Sequence, residues 1–284
     1  MLQDSLLNLT AGSGSERDLK MKENNLRKYG DGPFNIVVIH GGPGAPGEMR
    51  PVAKRLASEG GILEPFQTAT SIEEQVDELM VILGEHGNPP LTLVGYSWGA
   101  WLSIIFSAIY PAPVKRIILV GSPPFKEKYA SVIKETRLKR LKGEEREEAD
   151  RLMKDLSQTG VENKKAALIR LAELSRKADS FDPTPSFDDL SDVEVQPEVC
   201  RRVWDEAREV RESGELLELA ELVQCPVVAI HGDYDPHPAE GVKEPLSKAV
   251  EDFKFILLKD CGHTPWIERK AKDKFYAILE GLLG

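Results

Sequence analysis

Residues 91–110 read LTLVGYSWGAWLSIIFSAIY. LTLV at 91–94 has the apolar, partly β-branched character of a buried strand, and WLSIIFSAIY, which stops at Pro111, reads as a buried helix. Between them Gly95-Tyr96-Ser97-Trp98-Gly99 fits G-x-S-x-G. The context is strand, sharp turn, helix, and that context gives the short pattern its meaning. Such a turn forces the central residue into a strained backbone conformation with its side chain presented outward. Glycines two positions away on either side avoid collisions that a Cβ would make with neighbouring backbone. The helix that starts here adds unpaired N–H groups and the positive end of its dipole, which favour negative charge nearby. Ser97 is therefore expected to be an activated nucleophile rather than a small residue filling a turn.

Outward from this stretch, further strand-like runs recur: NIVVI at 35–39, RIILV at 116–120, PVVAI at 226–230 and FKFILL at 253–258, with a weaker one, GILEPF, at 61–66. Helical patterns lie between them. MRPVAKRLASEG ends on glycine, and SIEEQVDELMVILGEHG opens with Ser71 three residues before Glu74, a capping-box pattern. TPWIERKAKDKFYAILEGLL closes the chain. Alternating strands and helices predict an α/β fold with a mostly parallel, doubly wound sheet. The alternation breaks between about Ser122 and Val223, where charged amphipathic helices replace strands and ADSFDPTPSFDDLSD interrupts them. The expected organisation is a core in two parts, 1–121 and 224–284, with residues 122–223 inserted as a helical cap over the strand ends. Residues 1–25, which contain AGSGSER, are expected to form a mobile tail.

Composition narrows the class. The chain has 284 residues, is 41% hydrophobic and 30% charged, and carries a formal net charge of -10. It is long enough to bury a sizeable core. The excess of acid disfavours nucleic acid and anionic membrane surfaces as partners. No apolar run approaches the roughly 18 residues of a membrane span, and the N-terminus lacks the pattern of a signal peptide. Cys200, Cys225 and Cys261 are odd in number and widely spaced, so neither a disulfide framework nor a CxxC metal clip is expected, and a cytoplasmic setting is the simplest reading. No metal-ligand spacing and no cofactor loop is visible. HGGPGAPG at 40–47 lacks the G-K-[ST] of a phosphate-binding loop, and Pro43 and Pro46 break any dinucleotide fingerprint. Its glycines suit close approach of backbone N–H groups to a developing oxyanion.

A serine hydroxyl needs a base to take its proton and an acid to orient that base. Five histidines are available: His40, His86, His231, His237 and His263. The ordered set HGGPG, GYSWGA, GDYDPHP and CGHTPW resembles the α/β-hydrolase superfamily, over residues about 30–121 and about 224–284. Within it, HGGPG with a G-x-S-W-G elbow is similar to the proline iminopeptidase group. In that superfamily the chain order is serine, acid, histidine. The order leaves His231, His237 and His263, and implies His263 as base, since it follows the last strand and precedes the final helix. His231 precedes any suitable acid, and His237 stands only two residues from Asp235 in one short loop. The resemblance also implies Asp235 as acid, three residues past Gly232, with Asp233 as fallback and Asp260 as third choice. The oxyanion would lie between the N–H of Trp98 and one near Gly42; which glycine of the loop donates stays open.

The resemblance implies a serine hydrolase that acts, without a cofactor, on a small ester, amide or short peptide. An aminopeptidase of the proline iminopeptidase kind and a carboxylesterase both fit, and a non-catalytic ligand-binding protein on the same fold is the alternative. The D-Q-R-G-x-G-x-S stretch common in proline iminopeptidases is missing; GGILEPFQTATSIEEQ stands in its place. In the insertion, Glu194, Glu198, Glu206 and Glu209 read as a solvated face. Trp204, Phe125 and Tyr129 are candidate substrate-binding residues over Ser97, or else pack the cap's own core.

Overall fold

The computed structural model describes residues 25–156, 164–185 and 195–284. The stretch expected to be a mobile tail lies almost wholly outside them, as does part of ADSFDPTPSFDDLSD.

Strand β1 (Leu26–Tyr29) leads into β2 (Phe34–Ile39), α1 (Arg50–Leu56), β3 (Gly61–Pro65), α2 (Ile72–His86), β4 (Leu91–Tyr96), α3 (Trp98–Ile109) and β5 (Val114–Val120). Among the described residues six helices follow: α4 (Glu127–Ala130), α5 (Ile133–Arg140), α6 (Glu144–Leu156), α7 (Lys164–Asp179), α8 (Pro197–Ser213) and α9 (Glu215–Glu221). The chain then returns to β6 (Val227–Gly232), α10 (Glu240–Ala249), β7 (Phe253–Leu258), a 3-10 turn (Pro265–Ile267) and α11 (Lys272–Leu283). The sheet order is β1-β3-β2-β4-β5-β6-β7. All neighbours run parallel except β1 with β3.

Alternation along the strands sorts side chains onto two faces. Val37, Ile39, Leu93, Ile117, Leu119, Val227 and Ala229 join one buried cluster, which α2, α3 and α10 cover. Ile36, Val38, Val94, Tyr96, Ile118, Val120 and Ile230 join the other, covered by α1 and α11. Every residue of α3 is buried, which explains why its sequence is apolar all round. The start of α2 is capped as its sequence predicts: Ser71 Oγ accepts from Glu74 N at 3.3 Å.

The inserted helices divide between two cores. Val203, Ala207 and Val210 of α8 and Leu216 and Leu219 of α9 belong to the cluster under α3. Leu138 of α5, Ala149 of α6 and Leu174 of α7 pack around a smaller cluster of their own.

Candidate active site

Gly95 and Gly99 bracket the turn from β4 into α3, where backbone passes too close for any side chain. A Cβ on Gly95 would collide with Gly99 O, and one on Gly99 with Ile39 O. Between them Ser97 adopts φ 49 and ψ −114, a region that costs a non-glycine residue roughly 1–3 kcal/mol. Its N–H donates to Val120 O at 2.9 Å, tying the turn to β5. The surrounding packing therefore holds the strain.

His263 lies on the loop after β7, 8% exposed. Its backbone N–H donates to Asp179 O at the end of α7, 2.9 Å away. Its ring packs 5.0 Å from that of Tyr96, the residue just before Ser97. Its Nδ1 donates to Asp235 Oδ2 at 2.8 Å. A carboxylate only accepts, so Nδ1 carries the proton and Nε2 keeps its lone pair when the ring is neutral. Burial alone would lower the pKa of His263, but attraction to Asp235 and the hydrogen bond between them raise it above 6.5.

Asp235 is the hub. Burial would raise its pKa, yet the charge interactions with His263, His237 and His231 hold its carboxyl well below the usual range. Oδ1 accepts from the backbone N–H of His237 at 2.9 Å and from that residue's Nδ1 at 2.7 Å. His231 Nε2 in turn donates to His237 O at 2.8 Å. Asp233, the fallback acid, has no such partner: its Oδ1 accepts from Cys261 N at 3.3 Å, and Lys259 Nζ lies 3.7 Å from its Oδ2. Asp260 Oδ2 pairs with Lys270 at 3.1 Å. Of the three candidate acids, Asp235 is the one whose carboxylate bonds histidine rings, His263 at Oδ2 and His237 at Oδ1.

Asp235, His237 and His263 also form the one group among the described residues whose donor atoms cluster closely enough for a metal ion. Both Nδ1 atoms and both carboxylate oxygens are already joined in hydrogen bonds to one another, so ligation there would have to displace those protons.

The glycine loop 40–47 stands against the elbow, because a Cβ on Gly99 would come 2.7 Å from His40 O. His40 Nδ1 donates to Gly41 O at 2.7 Å, and its Nε2 accepts from Gln67 N at 3.3 Å. Burial lowers the His40 pKa to about 4, so it braces the loop as a neutral ring. Gly42 has φ 31, and its carbonyl accepts from Ala45 N at 2.8 Å. Glu48, at the loop's end, faces Arg176 of α7 at 3.8 Å.

Of the three candidate substrate-binding residues, Phe125 and Trp204 meet at Trp101, and Tyr129 turns to Glu244. Phe125, 1% exposed, packs 6.1 Å from Trp101. Trp204 stacks edge-on 6.0 Å from Trp98 and 6.2 Å from Trp101. Tyr129 donates its hydroxyl to Glu244. The Trp98 indole is itself fully buried and donates to Gln75 Oε1 at 3.0 Å. Of the acidic residues in the insertion, Glu206 accepts from Ile72 N at 2.7 Å and so caps α2, while Glu198 pairs with Arg201 at 3.1 Å. Glu194 lies outside the described residues.

Two anchors escaped the sequence reading. Glu268, fully buried, accepts from Gly262 N at 2.9 Å, Phe181 N at 2.8 Å and Asp182 N at 2.7 Å. Arg137 of α5 holds Asp179 through Nε at 2.8 Å and Nη2 at 2.7 Å. His237 was visible only as a neighbour of Asp235, and the two prolines around it were the signal that its loop is stiff enough to aim a ring.

A sequence model described as the alpha/beta hydrolase family matches residues 36–277, from β2 to α11. The chain belongs to this family. Comparison with curated proteins finds no match. Among solved structures, the chain of this alpha/beta hydrolase is similar to a proline iminopeptidase from Mycobacterium smegmatis. The identity is 18% and the TM-score 0.61, covering 91% of this chain and 93% of that one. It is similar to a monoacylglycerol lipase from Paleococcus ferrophilus at 17% identity and TM-score 0.57, covering 91% and 97%. A bromoperoxidase from Bacillus anthracis gives 16% identity and TM-score 0.64, covering 90% and 94%. Likeness at these identities concerns the fold. No helix among the described residues is long and apolar enough to cross a membrane.

Proposed function

We propose that this alpha/beta hydrolase is a serine hydrolase that cleaves a small ester, amide or short peptide through an acyl-enzyme. The observation that carries the proposal is the charge-assisted bond from His263 Nδ1 to the buried Asp235, with the His263 ring packed 5.0 Å from that of Tyr96, the residue before the strained Ser97. Ser97 Oγ attacks the scissile carbonyl while His263 Nε2 takes its proton, and Asp235 stabilises the imidazolium that forms. The N–H groups of Trp98 and Gly42 receive the charge on the carbonyl oxygen. The leaving group departs with the proton from His263. Water, deprotonated by the same nitrogen, then releases the acyl group and restores Ser97. None of these steps calls for a cofactor. The three free cysteines fit a reducing, cytoplasmic setting.

A fluorophosphonate probe tests this directly, with an adduct on Ser97 under native conditions as the expected outcome. Ser97→Ala should lower turnover by about 10⁶-fold. An unmodified Ser97, or a Ser97→Ala variant as active as the wild type, refutes the proposal. Amino-acid β-naphthylamides, proline first, compared with short-chain nitrophenyl esters separate the aminopeptidase from the carboxylesterase.

A further inference from the structure

Asp235 carries two imidazoles, and the triad uses one. The second belongs to His237, whose ring centroid lies 4.6 Å from that of His263. Its backbone N–H and its Nδ1 both donate to Oδ1, while Oδ2 receives His263. His237 is itself fixed from outside, since its carbonyl accepts from His231 Nε2 and Pro236 and Pro238 flank it. We propose that His237 is a positioning residue: its grip on Oδ1 sets the rotation of the Asp235 carboxylate and so aims Oδ2 at His263.

A carboxylate with one partnered oxygen can rotate about its Cβ–Cγ bond and present either oxygen to the imidazole. With Oδ1 held by two donors on one rigid loop, only one orientation keeps all three bonds, and His263 then has a single place for its Nδ1. The two rings do not exchange roles. The ring of His263, not that of His237, packs on Tyr96 next to the nucleophile. Burial also lowers the pKa of His237 to about 4, against the attraction of Asp235, which leaves it a poor base at neutral pH but a steady neutral Nδ1–H donor.

This inference rests on the serine-hydrolase reading. The test uses the full-length protein with His237→Ala, His237→Asn and His237→Gln, an activated ester and a fluorophosphonate probe. Asparagine places an N–H near the position of Nδ1, and glutamine near that of Nε2. His237→Ala, which removes the Nδ1 donor and leaves the backbone N–H on Oδ1, should lose up to about 10²-fold in kcat, the scale of a small misplacement of a catalytic group, with KM nearly unchanged. The low-field proton resonance of the His263–Asp235 hydrogen bond should shift or broaden. His237→Asn should restore most of the activity and the resonance, and His237→Gln should not.

Wild-type activity and an unaltered resonance in His237→Ala overturn the proposal. So do folded Asn and Gln variants equally impaired. If the probe leaves wild-type Ser97 unmodified, the serine-hydrolase reading itself fails and the role of His237 falls with it. Normal labelling of wild type with indifferent His237 variants removes this inference alone.

Discussion

Asp235→Asn against Asp233→Asn is the sharpest perturbation, because the two residues share one loop and differ in what their carboxylates hold. Asp235 accepts three hydrogen bonds, two at Oδ1 from His237 and one at Oδ2 from His263. An asparagine has one carbonyl oxygen and one NH2. The carbonyl settles where two donors converge, facing His237, which turns the NH2 toward His263 Nδ1. Two donors cannot face each other, so His263 shifts to the tautomer with its proton on Nε2. That nitrogen then cannot take the proton from Ser97. The same tautomer trap in serine proteases lowers kcat by about 10⁴-fold, equivalent to about 5 kcal/mol of transition-state stabilisation. Asp233, by contrast, is 28% exposed at its side chain, accepts one long bond from Cys261 N and faces the exposed Lys259 at 3.7 Å. Its substitution should change stability by no more than about 0.5 kcal/mol and leave turnover near that of the wild type. Turnover of an activated ester under saturating substrate measures both variants, with circular dichroism to confirm the fold. Equal losses in the two variants, or a near-wild-type Asp235→Asn, would refute the assignment of the acid.

The pH dependence follows from the groups that surround His263. Asp235 and Asp179 raise its pKa above 6.5, against burial and the Arg137 guanidinium. His237 beside it is neutral down to about pH 4. The active form needs neutral His263, so kcat/KM should reach half its plateau above pH 6.5 and fall about tenfold per unit below that point. The linkage to stability has the opposite sense: the contribution of His263 is complete below 6.5 and is lost as pH rises through its folded pKa. A pH–rate profile whose acid-limb midpoint lies below 6.5 contradicts the pairing with Asp235. A stability prediction concerns Trp101, which is 1% exposed, donates to Pro123 O at 3.1 Å and touches Trp98, Phe125 and Trp204. Trp101→Ala should cost about 3–5 kcal/mol in urea denaturation, and a loss under 1 kcal/mol would show that the aromatic cluster is not a packed unit.

Most of the sheet was legible because parallel strands buried on both faces leave continuous apolar runs, and NIVVI, RIILV and FKFILL each fall within a strand. LRKY at 26–29 was not legible. It lies at the sheet edge, pairs antiparallel with β3 and keeps no residue fully buried, so it carries no hydrophobic signature. The helix Glu240–Ala249 was missed for another reason: Pro245 stands inside it, and proline ordinarily argues against helix. The final helix starts at Lys272 rather than at Thr264, because Pro265–Ile267 forms a separate 3-10 turn. The places of Ser97, Asp235 and His263 just past the ends of β4, β6 and β7 were legible, because the apolar strand runs mark those ends. The partners that hold these residues were not, since Asp179 approaches His263 from a helix separated from it by 83 intervening residues' worth of folding, a relation no local pattern encodes.

The way those partners are arranged bears on how the insertion serves the site. The chain leaves the sheet after β5 and re-enters at β6, so its helices need only pack well enough to cover α3, as Trp204 and Val203 do. Yet the segment after α7 does more. Pro183 bridges Glu268, Thr184 N donates to Ile267 O at 2.8 Å, and Arg269 N donates to Asp182 O at 2.9 Å. The buried Glu268 carboxylate gathers N–H groups from both sides of this seam, one of them on Gly262, immediately before His263. A buried carboxylate with three donors resists any separation of the segments it joins, because each lost bond leaves charge unsatisfied in a dry environment. Asp179, gripped by Arg137, completes the contact by accepting from His263 itself. The backbone that carries the proposed base is therefore held by the inserted helices as well as by the sheet, and a change in how α5 and α7 pack reaches His263 through a chain of hydrogen bonds rather than through the shape of a pocket.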